Sequence, residues 1–266
     1  MSPEEVRFSF GDNWQRFLDE LHPAAVERMA SYVADWLGED LAGRRLIDVG
    51  SGQGLTSLVA HQLGADVTSI DIDPMSVAAT SRLWRKAGQP SDWTVEQRSI
   101  LDDPKGLGLF DVVISWGVLH HTGDMWTALD NAASLVAPNG RLWIALYART
   151  KHSNRSLRLK RVYNQTPRSL KRMVRGLYAL PKLTKMAIRR DFSPMSGYHR
   201  KRGMNWWRDI EDWLGGLPYE VTATGELLAV LRPRGFNLLR MHDATGEGDN
   251  NVFLFEMNAS RSAGAT

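Results

Sequence analysis

The sequence predicts an α/β fold in which a mostly parallel sheet is covered by helices on both faces. Three observations predict it. Short β-rich runs alternate with helical stretches between residues 45 and 147, and a glycine-rich turn directly follows the first of those runs. The last two β-rich runs are joined by a connection too short to hold a crossover helix.

Each element follows from local pattern. Ala24 to Leu37 has the apolar spacing of an amphipathic helix, entered through His22-Pro23. Arg45–Val49 (RLIDV) is the first strand and Leu55–Leu63 its helix. Asp66–Ile70 is the second strand, and Pro74–Lys86 the next helix, with proline at a position where no backbone donor is lost. Thr94–Arg98 and Asp111–Ser115 are the third and fourth strands. A helix from about Met125 to Val136 then stops at Pro138-Asn139-Gly140, and Arg141–Tyr147 is the fifth strand. Beyond a basic segment, Thr224–Leu231 reads as a helix, and Phe236–Met241 and Val252–Phe255 as strands. The region His242–Asn251 between those two is rich in Gly, Asp and Asn, so they should pair antiparallel. The expected division is an N-terminal helical lid (1–40), a ligand-binding core (41–150), a basic helical insertion (151–220) and a closing helix and strand pair (221–258).

Composition narrows the function. The chain has no cysteine, which excludes disulfides, thiolate metal sites and a cysteine nucleophile, and suits a reducing compartment. Its first residues, MSPEEVRFSFGDNW, lack the apolar stretch of a secretion signal. No apolar run approaches the roughly 20 residues that span a bilayer, so a cytoplasmic protein is expected. Net charge is +3, yet residues 151–202 hold 16 Lys/Arg against the single acid Asp191, while the rest hold 17 against 29 acids. Such asymmetry marks a segment with its own partner or its own solvated face. Ten tryptophans offer flat apolar faces for a core or for a pocket wall.

The most informative stretch is Leu46-Ile47-Asp48-Val49-Gly50-Ser51-Gly52-Gln53-Gly54, a strand running into a glycine turn at a helix start. Glycine permits positive φ and close approach of a ligand to the backbone. A nicotinamide fingerprint wants its third glycine at position 55, which is Leu55. Asp48, two residues before Gly50, suits a cationic ligand better than a pyrophosphate. A second anchor is Asp71 in Ser69-Ile70-Asp71-Ile72-Asp73-Pro74. A carboxylate at that strand end can accept both ribose hydroxyls, with Ile72 against an adenine, while Asp73 is placed to cap the following helix.

LIDVGSGQG, SIDIDP and FDVVISWGVLHH, in that order, resemble successive motifs of the class I S-adenosylmethionine-dependent methyltransferases. The resemblance covers about residues 45–147, and the closing strands are similar to the antiparallel pair that ends that fold. It implies a Rossmann-like seven-stranded sheet of order 3-2-1-4-5-7-6 with the last strand antiparallel, and S-adenosylmethionine as cofactor. On the matching positions, Gly50, Ser51 and Gly52 would pass under the methionine part of the cofactor and Asp71 would hold the ribose. Ser99 and Ile100 would meet the adenine, although many relatives carry Asp where this chain has Ser99. Metal sites are not expected.

Ser115-Trp116-Gly117-Val118-Leu119-His120-His121-Thr122 follows the fourth strand and should face the transferred methyl, with Trp116 among the cofactor contacts. Methyl transfer to a hydroxyl needs a proton acceptor, and His120 and His121 are both candidates for that base. Either could instead serve only to brace the loop. The Asn-Pro-Pro-Tyr type of signature found in amino-group methylation of nucleic acids and proteins is absent there. Asn13 and Trp14 are candidate cofactor contacts on the N-terminal lid, and the aromatic patch from Met204 to Tyr219 is either an outer pocket wall or the insertion's own core. The basic insertion is expected to form helices beside the cleft. Its basic face would meet solvent, an anionic small-molecule acceptor or an anionic membrane surface; nucleic acid is not expected, since no RNA-binding module is present. The expected activity is methylation of a small or medium-sized metabolite at oxygen. N-methylation of a small molecule or peptide, a nicotinamide oxidoreductase and a membrane-surface binding protein are the alternatives.

Overall fold

The computed structural model describes residues 23–192, 195, 206–244 and 250–259. Seven strands form one sheet: β1 (Arg45–Val49), β2 (Asp66–Asp71), β3 (Trp93–Gln97), β4 (Phe110–Trp116), β5 (Val136–Tyr147), β6 (Phe236–His242) and β7 (Asn250–Met257). Their order is 3-2-1-4-5-7-6, as the resemblance implied. The pairs among β1 to β5 are parallel, and β7 runs antiparallel to both β5 and β6.

Helices α1 (Pro23–Leu37), α2 (Leu55–Gln62) and α3 (Pro74–Lys86) cover one face. Helices α4 (Met125–Ser134) and α8 (Thr224–Leu231) cover the other. Because successive strand residues point to opposite faces, Leu46 packs with Val33, Val59 and Trp143 on the first side. Its neighbour Ile47 packs with Leu129, Leu227 and Phe253 on the second. Each such side chain, removed from water, contributes roughly 1.5–3 kcal/mol. This two-sided burial is why the inner strands read as nearly continuous apolar runs.

The segment after β5 adds α5 (Ser153–Gln165), α6 (Arg168–Arg189) and α7 (Trp206–Gly215). They share a small core of Tyr163, Ala179, Trp206, Ile210 and Leu214, separate from the two cores of the sheet.

Most element bounds differ from the sequence pattern by a residue or two, and the differences at β3, α4 and β5 bear on packing. Strand β3 begins at Trp93, not Thr94, since Trp93 pairs with Val67 and buries its ring. Helix α4 stops at Ser134, and β5 starts at Val136 instead of Arg141. Phe110 donates to the Leu135 carbonyl (2.8 Å) and pairs with Val136, then the register jumps so that Val112 faces Arg141. Pro138-Asn139-Gly140 is therefore taken up as an irregularity inside a strand, with Asn139 at φ 59°, and not as a loop before one.

Candidate active site

A cavity of about 670 Å³ opens at the carboxyl ends of β1, β2 and β4, where open parallel sheets bind ligands. Its lining includes Asp48, Gly50, Ser51, Gly52, Asp71, Ile72, Ser99, Ile100, Trp116 and His121. The turn after β1 forms one wall. Gly50 and Gly54 adopt φ of 77° and 79°, a region unfavourable to L side chains. A Cβ on Gly50 would lie 2.4 Å from the Val118 side chain, and one on Gly54 2.9 Å from the Thr80 backbone. The N–H groups of Gly50 and Ser51 donate to the Ile70 carbonyl (2.8 and 3.0 Å), tying the turn to the end of β2.

Asp71 holds the same turn. Its Oδ2 accepts the Gly52 N–H (2.9 Å) and its Oδ1 the Asp73 N–H (2.9 Å). The carboxylate is thus engaged with the backbone as well, and each oxygen keeps further acceptor capacity. Asp73 caps α3 through the Met75 N–H (2.9 Å), as its position before Pro74 indicated. Burial raises the Asp71 pKa, against the bonds from Asp73 and Gly52.

Asp48 sits at the end of a buried relay that the sequence did not reveal. The Trp93 indole N–H donates to Ser69 (2.9 Å), Ser69 to Ser57 (2.8 Å), and Ser57 to Asp48 Oδ2 (2.6 Å). These residues come from β3, β2, α2 and β1, and nothing in the local sequence of Ser57 or Ser69 marks either hydroxyl as a partner of Asp48. Burial pushes Asp48 up to about 6, while the Ser57 hydroxyl pulls it down. Further along the cavity lie Ile72, 44% exposed, with Arg98, Ser99 and Ile100.

The loop after β4 separates the two histidines. His120 is 1% exposed and does not line the cavity. Its Nδ1 accepts the Tyr147 N–H (3.3 Å), its ring lies 3.9 Å from the Tyr147 ring, and its carbonyl accepts the Glu220 N–H (3.0 Å). His121 does line the cavity, and its Nδ1 is 2.6 Å from the Pro218 carbonyl. A carbonyl can only accept, so Nδ1 carries the ring proton and Nε2 is the basic nitrogen. Burial lowers the His121 pKa to about 4, opposed by the Pro218 bond and reinforced by the charge of Lys160.

The outer wall comes from distant segments. Helix α1 supplies Arg28, Met29 and Tyr32; Tyr32 stands edge-on to Trp116 (5.2 Å), and both pack on Trp143 (5.5 and 5.4 Å). From α7 come Asp209, Asp212 and Trp213, while Trp206, Ile210 and Leu214 of the same helix turn into the small core. The aromatic patch of the sequence therefore serves both as pocket wall and as core. Glu220 braces this wall against the histidine loop by accepting the N–H groups of Gly123 (3.1 Å) and Met125 (3.2 Å). The described cations of the lining are Arg28 and Arg98; none comes from α5 or α6. Asn13 and Trp14 lie outside the described residues. Among the described residues no group of three or more His, Asp or Glu could hold a metal ion.

The cavity fits the ligand that the motifs imply. Two glycines leave backbone room that a Cβ would fill, and two carboxylates face a space suited to a cation. Gln53 Oε1 is buried beside it with no partner among the described residues.

Comparison with known proteins agrees. Residues 15–193 match a protein family described as "Methyltransferase domain". A ubiquinone biosynthesis O-methyltransferase of Xanthomonas euvesicatoria pv. vesicatoria is 34% identical over 139 residues, covering 52% of this chain and 55% of that protein. The chain thus aligns with about half the length of the curated relatives it matches. Among solved structures, magnesium protoporphyrin IX methyltransferase from Synechocystis PCC 6803 with bound S-adenosylhomocysteine superposes with a TM-score of 0.54 at 16% identity, over 96% of this chain and 90% of that one. An O-methyltransferase family protein from Burkholderia thailandensis gives 0.55 at 16% identity, over 94% and 59%. At such identities these structures speak to the fold.

Proposed function

This chain belongs to the methyltransferase-domain family of class I S-adenosylmethionine-dependent enzymes, and on that premise we propose that it methylates a hydroxyl oxygen of a small-molecule acceptor in the cytoplasm, with His121 as the general base. The observation that carries this reading is the pinned tautomer of His121, which turns a basic nitrogen away from Pro218 on a ring that lines the cavity. Bound S-adenosylmethionine supplies a methyl group on a positively charged sulfur. Gly50, Ser51 and Gly52 would border its amino-acid part, with Asp48 as a countercharge for its ammonium. Asp71 would accept the ribose hydroxyls, Ile72, Ser99 and Ile100 would border the adenine, and Trp116 would flank the methyl end. His121 Nε2 would take the proton of the acceptor hydroxyl, whose oxygen would gain the methyl as the S–C bond of the sulfonium breaks, while Nδ1 keeps its bond to the Pro218 carbonyl. The ring wall of Tyr32, Trp116 and Trp143 favours a flat, apolar acceptor. The name of the Xanthomonas relative supports oxygen as the acceptor atom.

Calorimetry with S-adenosylhomocysteine and with NAD tests the cofactor, and labelled methyl transfer to catechol as a probe tests the base. We expect binding of the first ligand only, and a His121→Gln variant that binds it equally but transfers slowly. A folded protein that ignores S-adenosylhomocysteine, or a His121→Gln variant of undiminished turnover, would sink the proposal.

For the basic segment we infer contact with an anionic membrane surface. Helix α6 carries seven Lys/Arg and no acid. Its Leu170, Met173, Leu177, Leu180 and Ile188 form one helical face and are 46–79% exposed, while Val174, Tyr178, Leu183 and Met186 pack inward. Apolar face with flanking cations is the pattern of helices that lie in a headgroup layer. Among the described residues no helix is long and apolar enough to cross a membrane. The absence of α6 cations from the cavity lining favours a surface over an anionic acceptor. The protein should sediment with phosphatidylglycerol-containing vesicles but not with pure phosphatidylcholine, and Leu177→Glu with Leu180→Glu should release it. A dimer in light scattering that those substitutions dissolve would assign the face to a second copy instead.

A further inference from the structure

Among the described cations of the basic segment, one is unlike the rest. Lys160 on α5 is completely buried. Its Nζ donates to the Trp213 carbonyl and lies 4.7 Å from the Trp213 ring, 4.9 Å from the Tyr219 ring and 5.8 Å from the Tyr147 ring. Among the described residues it forms no ion pair with a carboxylate. A buried ammonium is costly, and an apolar side chain would fill the place with less penalty. Three aromatic faces and one carbonyl offset part of that cost.

What Lys160 holds is the end of α7. One helical turn along α5, Asn164 Nδ2 donates to the Gly215 carbonyl (3.0 Å), so two side chains of α5 cap the last carbonyls of α7. From that cap the chain runs through Gly216 to Pro218. A Cβ built on Gly216 would stand 3.1 Å from His121 Cε1 and 3.5 Å from Lys160 Nζ, so ring and ammonium flank the same point. Two residues later the Pro218 carbonyl takes the His121 Nδ1 proton (2.6 Å).

We infer that Lys160 is a positioning residue for His121: it anchors the turn whose carbonyl orients the imidazole, and it sets a positive charge behind the ring. This rests on the reading of His121 as base and adds the device that keeps it oriented and neutral. Other titratable groups near the ring are His120 on the same turn, Tyr147 from β5, Asp212 from α7, and Tyr219 and Glu220 after α7. The Glu220 carboxylate is spent on the N–H groups of Gly123 and Met125. The Lys160 charge acts on both histidines in the direction of the neutral ring, and burial brings its own pKa down to about 7.

The test is an NMR titration of the imidazole signals in the full chain, comparing wild type with Lys160→Met and Lys160→Arg. In Lys160→Met the His121 pKa should rise by about one unit and its Nδ1-protonated tautomer should become mixed. Lys160→Arg should restore most of both. A purely structural lysine would lower Tm and leave the His121 titration and tautomer in place, and that result overturns the inference. Should Lys160→Met not fold, Asn164→Leu removes half of the cap and keeps the charge; it should mix the tautomer, and an unmixed tautomer overturns the inference equally. No turnover is measured, so normal activity of His121→Gln would remove the base and leave this coupling standing or falling by itself.

Discussion

The end of the cavity proposed for the cofactor and the end proposed for the acceptor are built by different means. At the cofactor end, Gly50 to Gly54, Asp71 and Ser99 each lie at or just beyond the carboxyl end of a strand of the parallel sheet, and backbone N–H groups do much of the binding together. At the acceptor end, the ring that faces the cavity is oriented by a carbonyl 97 residues away in the chain, on a turn held from yet another helix. The first end is a local solution that any strand with the right turn can carry. The second exists only once α5, α7 and the loop after β4 have docked on each other. Residue type therefore reports chemistry well at the first end and poorly at the second.

Substitutions can break or sharpen that contrast. The largest effect belongs to the acceptor end: His121→Gln should lower turnover of the probe roughly 100-fold or more with S-adenosylhomocysteine affinity unchanged. His120→Gln should instead act mainly on Tm, because that ring braces Tyr147 inside the fold. Equal kinetic losses in both variants would mean that the two histidines act as a unit. At the cofactor end, Asp71→Ala should weaken S-adenosylhomocysteine by about 1.5–3 kcal/mol, through the lost carboxylate and a loosened Gly52. Calorimetry that returns wild-type affinity in a folded variant would remove Asp71 from the site.

Gly50→Ala should cost about tenfold in the same titration, since its Cβ would drive into Val118 and move the histidine loop as well. Acceptor KM should then rise together with cofactor Kd; a change in only one would show that the ends are independent.

Smaller effects concern pH. His121 binds protons less readily folded (about 4) than at its ordinary 6.5, so the stability it contributes is present above 6.5 and is lost as pH falls toward 4. Asp48 is raised from 3.8 to about 6, so its contribution is present at low pH and is lost as pH rises through 6. Thermal melts between pH 4.5 and 7.5 should therefore show a shallower acid loss in His121→Gln and a steeper one in Asp48→Asn, each by on the order of a few degrees. Parallel curves for all three proteins would show that neither group titrates between its folded and unfolded values as stated.

Alternating apolar periods and turn residues were enough to predict the parallel α/β class, the antiparallel closing pair and the glycine turn, because hydrophobic period and positive φ are properties of short segments, whereas the sheet order followed from the family resemblance. Asp73 as the cap of α3 was legible for the same reason. The start of β5 was not, since Pro138-Asn139-Gly140 signals a break but not whether the partner strand pairs across it. Nor could adjacent His120 and His121 be told apart, or Lys160 be picked from its basic neighbours, or Ser57 and Ser69 be seen as a relay. In each case the deciding contact is a single hydrogen bond or ring face from a remote element: Tyr147, Pro218, Trp213 or Trp93. Proton location, burial and charge in this site are properties of those tertiary contacts, because desolvation and a fixed hydrogen-bond partner, not residue identity, decide which nitrogen is basic and which lysine is buried.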